Sequence, residues 1–515
     1  MKSTPFNWLQ LQNGSDIRGI AMPGVPGEEV NLTPERSYIL AQSFVQWLRK
    51  DDATDNRTLT ISIGTDPRLS GPMLKEAFIN GLIDVGCRVL DFGLASTPAM
   101  FMSTVDKKTS CDGAVMLTAS HLPFNRNGMK FFTADGGLDK GGIGEILGIR
   151  DSGLGTRGLG TRDLGLGARG TVEVLDFISV YSGILVDYIR SAVNHPVDFD
   201  KPLAGQKIIV DAGNGAGGFF ATKILEPLGA DITGSQFLDP DGTFPNHSPN
   251  PENPAAMKAI QEAVIRNKAD LGIIFDTDVD RAAIVDESGS EINRNRLIAL
   301  ISSIVLEEHP DSWVVTDSIT SDGLNSFIQN ELKGYHHRFK RGYKNVINEA
   351  IRLNETGKPS WLAIETSGHA ALKENYFLDD GAFLIAKILV KFAQLKMTSG
   401  RSIGSLLDKL EEPTESKEYR IKIQAADFKE IGETVIEELK QLTEKTAGWS
   451  LIEPNHEGIR VSCDKEHGNG WFLLRLSLHD PVMPLNIESE ISGGVETIYG
   501  RLSSFLSNYP DLKLP

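Results

Sequence analysis

Asp276, Asp278 and Asp280 occupy alternate positions of the run Asp-Thr-Asp-Val-Asp-Arg, directly after an apolar stretch, 271–275. Anions crowded this closely repel one another, so a site that keeps them together implies a cation; solvated turn carboxylates are the alternative. An EF-hand is excluded. Asp276, Asp278, Asp280 and Glu287 fall at its loop positions 1, 3, 5 and 12, but Arg281 stands at position 6, where that loop needs glycine, and the flanks read as strands. An oxygen-only set with few protein ligands suits Mg²⁺, which takes further ligands from phosphate.

Three other stretches carry groups of similar interest. Ser120 lies in Thr-Ala-Ser-His-Leu-Pro, 118–123, between an apolar run, 113–117, and a turn-rich segment ending in Lys130. Taken alone it is a loop serine that caps a turn. In Glu-Thr-Ser-Gly-His, Glu365 and Ser367 sit two apart after a strand, where they can point the same way and bond adjacent sugar hydroxyls. Arg475, Ser477 and His479 alternate in Arg-Leu-Ser-Leu-His-Asp-Pro; one cation with several donors can grip a phosphate, and an ordinary strand end fits the pattern as well. The glycine run 213–218 matches the dinucleotide fingerprint in a strand-to-helix context. No well-placed acid follows about twenty residues on, as that fingerprint requires, and a tight strand-to-helix turn explains the glycines.

The elements that must position these groups read as alternating strands and helices. Residues 58–71 form a strand running into a turn, 72–87 a helix, and 88–96 and 113–120 two further strands, a rhythm that predicts a parallel or mixed sheet. Residues 143–170 are glycine-rich and repetitive, which predicts an exposed insertion without helix or core. Helical periodicity returns over 172–193. A second unit follows: strand, glycine loop and helix over 206–230, a loop at 239–254, a helix at 255–269, and strand, acidic turn, strand over 271–289. A third α/β unit begins near 293, with a helix at 297–308 and strands at 312–318 and 360–369. From 412 the chain turns α+β, with strands at 419–423, 458–463, 471–480 and 484–490 around a helix at 427–445. The predicted domains are 1–190, with the insertion at 143–170, then 191–292, 293–411 and 412–515.

At 515 residues the chain is too long for one hydrophobic core. A net charge of −17 argues against nucleic-acid binding, which calls for a basic face, while leaving room for a local phosphate site. Three cysteines, without paired or metal-ligand spacing, suggest a reducing compartment. The start of the chain lacks an apolar signal core, and no run of eighteen apolar residues occurs, so a cytoplasmic protein with no membrane span is expected.

In this order and one per domain, the serine, acidic, Glu-Thr-Ser-Gly-His and Arg-Leu-Ser-Leu-His-Asp-Pro stretches resemble the α-D-phosphohexomutase superfamily. Ser-Asp-Ile-Arg-Gly near the start and Gly-Thr-Asp-Pro-Arg-Leu-Ser-Gly at 64–71 are similar to two further motifs of its first domain. The resemblance implies a four-domain, heart-shaped architecture, three α/β domains with mixed sheets and a C-terminal α+β domain, each giving one loop to a central cleft. It implies a phosphoserine at Ser120, with Mg²⁺ held by Asp276, Asp278, Asp280 and a phosphate oxygen of that serine. It implies interconversion of hexose 1- and 6-phosphates through a hexose 1,6-bisphosphate that is intermediate and activator. Arg18, His121, Lys130 and Arg281 are then candidates to position the phosphoryl group or move a proton, with a depressed pKa required of Lys130 as a base. Glu365, Ser367 and His369 are implied for the sugar, and Arg475, Ser477 and His479 for the distal phosphate.

The small-molecule partners expected are sugar phosphates, bound by a monomer or homodimer. The sugar loop resembles the phosphomannomutase/phosphoglucomutase branch, and a loop reading O3 and O4 does not separate glucose from mannose, which differ at C2. Two departures stand out. The chain reads Asp317-Ser318-Ile319 where the family has Asp-x-Lys, and its phosphate loop lacks the Ser-Gly-Thr-Glu-Pro form. A missing cation could release the bisphosphate, which makes a glucose-1,6-bisphosphate synthase with another donor, such as fructose 1,6-bisphosphate, the alternative. A non-catalytic sugar-phosphate binder needs neither a nucleophile nor a metal loop, which counts against it.

Overall fold

The computed structural model describes residues 6–50, 57–151, 169–425, 427–477 and 480–515, and two compact units divide them: residues up to Asn293 with Ser367–Ser405, and Arg294–Thr366 with Leu406–Pro515.

The first unit carries two sheets and a short antiparallel pair, Ala370–Leu372 with Leu378–Asp379. In the larger, Gly113–Leu117, Thr60–Thr65, Arg88–Leu94 and Thr171–Val174 run parallel, while Arg126–Thr133 and Asp16–Ile20 add antiparallel neighbours. Gly113–Leu117 is buried along its whole length, as expected of a parallel strand covered on both faces, and this explains its unbroken apolar run. In the smaller sheet Ile208–Asp211 pairs in parallel with Leu271–Phe275, which turns back into Ala282–Asp286 as an antiparallel hairpin. Residues 276–281 are the tip of that hairpin, so two fully buried strands present the acidic turn.

The glycine run packs behind this turn. A Cβ on Gly215 would lie 2.8 Å from the Thr277 carbonyl oxygen, so only glycine permits the approach. The helical segment that follows, Phe220–Leu225, is a short wide turn, in keeping with a packing role for these glycines.

Two expectations need correction. The stretch expected to be an exposed insertion begins as part of a helix, Lys140–Asp151, and Ile143, Ile146 and Leu147 are fully buried against Leu40 and Phe44. Their i, i+3, i+4 spacing outweighs the cost of the glycines. Residues 152–168 of that stretch lie outside the described residues, and the chain re-enters at the edge strand Thr171–Val174. The helical pattern read over 172–193 therefore starts late, at Phe177, where Asp176 accepts from the Ser179 N–H as the cap. Against it packs the helix Gly381–Thr398, with Tyr188 and Phe383 ring centroids 4.7 Å apart.

The second unit pairs Tyr335–Arg338, Trp313–Thr316 and Ser360–Ile364 in parallel, with helices Arg294–Glu308 and Tyr343–Glu355. Its other sheet is antiparallel throughout, with the helices Phe428–Lys445 and Gly494–Leu506, the α+β pattern the sequence predicts. The strand read over 471–480 ends at Leu474, yet Arg475 and Ser477 still donate backbone N–H groups to Pro484 and Val482 across the hairpin. His479 lies outside the described residues.

Candidate active site

Asp276, Asp278 and Asp280 are all buried, and one oxygen from each lies within 4.8 Å of the others. The turn that brings them together is strained: Val279, a β-branched residue, sits at φ 68°. It is held by the Gly381 N–H, which donates to the Val279 carbonyl at 3.1 Å. Thr97, the first residue of the helix Thr97–Val105, fixes Asp278, its hydroxyl donating to Oδ2 at 2.5 Å.

Lys130 and Arg281 bond the three carboxylates directly. Lys130 Nζ lies 2.9 Å from Asp278 Oδ2 and also bonds Asp280 Oδ2; Arg281 Nη2 lies 3.1 Å from Asp276 Oδ2. Burial and the two neighbouring carboxylates push Asp276 well above the usual carboxylate range, while Lys130, His369 and Arg281 hold Asp280 below it in spite of its burial. Asp278 Oδ1 and Asp280 Oδ1 are buried with no hydrogen-bond donor, so the turn has acceptor capacity that the protein leaves unfilled. Oxygen ligands with open positions, in an excess of negative charge, fit a hard divalent cation such as Mg²⁺.

Ser120 reaches this turn from the end of Gly113–Leu117. Its backbone is left-handed, φ 49°, and its N–H donates to Thr118 Oγ1 at 2.9 Å. Its hydroxyl donates to Asp276 Oδ2 at 3.0 Å and accepts from Arg281 Nη2 at 3.1 Å, with His121 Nδ1 at 3.3 Å. His121 is pushed down to about 3, by burial and then by Arg281, so its Nδ1 accepts from Arg281 Nη2 at 2.7 Å. Arg18 lies behind the loop, bonded to the Thr118 carbonyl and to Asp16 at 2.7 Å. Lys130 does not show the depressed pKa that a base needs. Burial alone would lower it, but Asp278 and Asp280 raise it well above its ordinary value.

His369 joins the same unit through a backbone bridge to Arg281, and its Nδ1 donates to Asp379 Oδ2 at 2.6 Å. Against its burial, Asp379 and Asp280 push the imidazole up to about 9. Ser367 is buried in the turn before it. Glu365, Arg475 and Ser477 belong to the second unit, where Glu365 Oε1 accepts the Gly342 N–H at 2.6 Å.

The motif at 64–71 contains the group that shapes the serine loop, Arg68, to which sequence reasoning gives no role. Arg68 is 1% exposed; its Nη1 donates to the carbonyls of Pro123 (2.8 Å) and Arg126 (3.1 Å), and its Nη2 to those of Ser120 (2.5 Å) and Leu122 (2.6 Å). Asp66 orients it at 3.2 Å and also accepts from the Thr118 hydroxyl at 2.7 Å. Arg68→Met strands four carbonyls and a buried carboxylate, and is expected to cost about 3–5 kcal/mol of stability in denaturant unfolding. Arg68→Lys keeps the charge but not the planar fork, and should recover only part of that loss. Parent-like stability in both variants would show that the clamp contributes nothing.

Residues 9–141, 186–289 and 293–413 match the family descriptions of phosphoglucomutase/phosphomannomutase alpha/beta/alpha domains I, II and III, respectively. A phosphoglucomutase of Neisseria gonorrhoeae is 30% identical over 502 residues, covering 97% of each chain. A phosphomannomutase/phosphoglucomutase of Pseudomonas putida is 32% identical over 458 residues, 88% of this chain and 89% of that one. Among solved structures, a phosphoglucomutase/phosphomannomutase family protein of Burkholderia thailandensis superposes with a TM-score of 0.76 at 25% identity, covering 98% of both chains. With a buried hydroxyl set against a carboxylate turn in an α/β framework, these matches define a phosphotransferase-type enzyme. The chain belongs to the phosphoglucomutase/phosphomannomutase (α-D-phosphohexomutase) superfamily, and a phosphohexomutase-type reaction follows from that membership. Its four-domain α/β architecture is that of the family. No described helix is long and apolar enough to cross a membrane.

Proposed function

We propose that this enzyme interconverts hexose 1-phosphate and hexose 6-phosphate, of glucose, mannose or both, by way of a phosphoserine at Ser120 and a hexose 1,6-bisphosphate. One observation carries the reading: the Ser120 hydroxyl bonds Asp276 and Arg281 at the edge of a buried carboxylate triplet with open acceptor positions. The names of the curated relatives, phosphoglucomutase and phosphomannomutase/phosphoglucomutase, support both sugars as substrates.

In this mechanism the P–O bond to Ser120 Oγ breaks as the free hydroxyl of the sugar phosphate attacks, and that hydroxyl gives up its proton. The bisphosphate turns over, its other phosphoryl group passes back to Ser120 Oγ, and the opposite monophosphate leaves. Asp276, Asp278 and Asp280 would hold Mg²⁺, which when bound neutralises charge on the transferring phosphoryl group. Arg281 donates to the serine oxygen, and Arg18 and Arg68 keep the loop in place behind it. His121, neutral with Nδ1 accepting from Arg281 beside Ser120, helps to position the serine oxygen, and Lys130 enters as an ammonium. Glu365, Ser367 and His369 take the sugar hydroxyls, and Arg475, Ser477 and His479 the phosphate that is not reacting. The domain limits proposed for this assembly are 190/191, 292/293 and 411/412. Three buried, unpaired thiols, Cys87, Cys111 and Cys463, support a reducing, cytoplasmic setting.

The test follows every product from glucose 1-phosphate, with and without glucose 1,6-bisphosphate, and with fructose 1,6-bisphosphate as a trial donor. Rapid 6-phosphate formation that depends on the bisphosphate supports the mutase. Net accumulation of glucose 1,6-bisphosphate from the trial donor overturns it in favour of the synthase.

A further inference from the structure

Close to the acidic turn, within the first unit, lies a buried carboxylate that the reaction does not use. Asp380 stands immediately before the helix Gly381–Thr398, where its Oδ1 accepts the Phe383 N–H at 2.8 Å as the cap. Two side chains donate to it as well. The Tyr181 hydroxyl, on the helix Phe177–Val193 and 199 positions away, lies 2.7 Å from both Asp380 oxygens, and Asn375 Nδ2 donates to Oδ2 at 2.9 Å. Asp380 donates its own N–H to the Ala370 carbonyl at 3.0 Å. Tyr181 and Asn375 are buried too.

Capping alone does not account for this arrangement. A serine or an asparagine caps a helix as well as an aspartate does, without bringing a charge into the interior. Burial pushes the Asp380 carboxyl up to about 6 while Phe383, Tyr181 and Asn375 pull it down, so it is ionised at neutral pH. What these donors hold in place is the next residue. The Gly381 N–H donates to the carbonyl of Val279, the residue at φ 68° between Asp278 and Asp280. A Cβ on Gly381 would lie 2.8 Å from the Arg281 carbonyl carbon and 2.9 Å from the Val279 oxygen, so the start of the helix abuts the turn backbone. A β-branched residue keeps a left-handed backbone only where its surroundings over-determine it.

We infer that Asp380 and Tyr181 are positioning residues for the divalent-cation site: they hold the Gly381 amide on the Val279 carbonyl and so keep Asp278 and Asp280 in the arrangement that receives the ion. The inference rests on the Mg²⁺ reading above and adds to it two residues that never touch the ion. Without the Tyr181 hydroxyl, Asp380 keeps its cap and its bond to Asn375 but loses its tie to the helix Phe177–Val193. The first turn of the helix Gly381–Thr398 is then free to shift, and Val279 to leave its strained φ. Asp278 Oδ1 and Asp280 Oδ1, the buried atoms without a donor, move apart with it. The loss falls on ion binding.

Calorimetric titration of the folded protein with Mg²⁺, with the phosphorylation of Ser120 matched by mass, tests the brace alongside thermal unfolding in chelator. Tyr181→Phe should raise the Mg²⁺ dissociation constant about tenfold, with kcat at saturating Mg²⁺ within about threefold of the parent. Asp380→Ser keeps a capping oxygen but is too short to reach Tyr181 and Asn375, and should raise the constant further. A merely structural role predicts something else: a lower Tm in chelator for both variants, with the parent's affinity for Mg²⁺ retained. That pattern, with both constants within about twofold of the parent's, overturns the proposal. If Asp380→Ser does not fold, Tyr181→Phe, which removes a single hydroxyl, decides the matter by itself. A parent that binds no Mg²⁺ takes down the metal reading and this inference together, whereas variants that match a binding parent overturn the inference alone.

Discussion

Ser120→Ala is expected to take up no phosphoryl group and to lose hexose-phosphate turnover by on the order of 10⁶-fold, the scale on which deleting a covalent nucleophile acts. The Oγ atom is the point on which Asp276, Arg281 and His121 converge, at 3.0, 3.1 and 3.3 Å. Its removal leaves those groups in place, because Arg281 and Asp276 remain paired with each other at 3.1 Å. The fold should barely register the change. Ser120 sits at φ 49° and alanine accepts the left-handed region no better than serine does, so the backbone term is common to both. An unfolding midpoint close to the parent, no mass shift after incubation with glucose 1,6-bisphosphate, and no product in a coupled assay form the expected set. Turnover within about a hundredfold of the parent would remove Ser120 from the covalent role.

How far these features could be read from the sequence depends on whether the signal was local. The strands Gly113–Leu117 and Leu271–Phe275 are legible because both are buried end to end, and a continuous apolar run bounded by turns leaves few other readings. The acidic turn is legible for its chemistry, since three alternating carboxylates are a local pattern. Its meeting with Ser120, 156 positions away, is not a local pattern; only the ordered set of motifs shared with a family pointed to it. Arg68 shows what stays hidden. An arginine in a turn reads as solvated, and nothing in Thr-Asp-Pro-Arg-Leu announces the four carbonyls of 120–126 that enclose its guanidinium. Asp379, which orients His369, is silent for the same reason. Over 143–151 the glycine content hides the helix, because the spacing of Ile143, Ile146 and Leu147 is rewarded by tertiary packing and not by local propensity. At the end of Gly470–Leu474 the alternation of Arg475 and Ser477 correctly placed both on one side of the hairpin, and the partner of Arg475, Glu457, lay beyond reach of any local pattern.

Asp278→Asn should unfold at a higher temperature than the parent in chelator, and yet lose about a thousandfold in turnover with Mg²⁺ supplied. Both effects have one source. Without a divalent ion the turn holds three buried carboxylates against Lys130, Arg281 and, beside Asp280, His369; burial and crowding drive Asp276 towards its neutral form, and Asp278 Oδ1 has no donor. Replacing Asp278 by asparagine removes one of three mutually repelling anions and leaves Lys130 paired with Asp280. The amide oxygen still accepts from the Thr97 hydroxyl, so the anchor to the helix Thr97–Val105 survives. What is lost is one of three oxygen ligands, and with it the charge that favours a divalent cation. Taking about 4 kcal/mol of transition-state charge stabilisation as the contribution of the ion gives the expected thousandfold. The parent should gain about 2.7 kcal/mol of apparent stability at a hundred times the Mg²⁺ dissociation constant, visible as a rise in Tm, and the variant should gain nearly none. A variant that keeps the parent's Mg²⁺-dependent rise in Tm, or a parent fully active after exhaustive chelation, would show that the acidic turn has some purpose other than holding a cation beside Ser120.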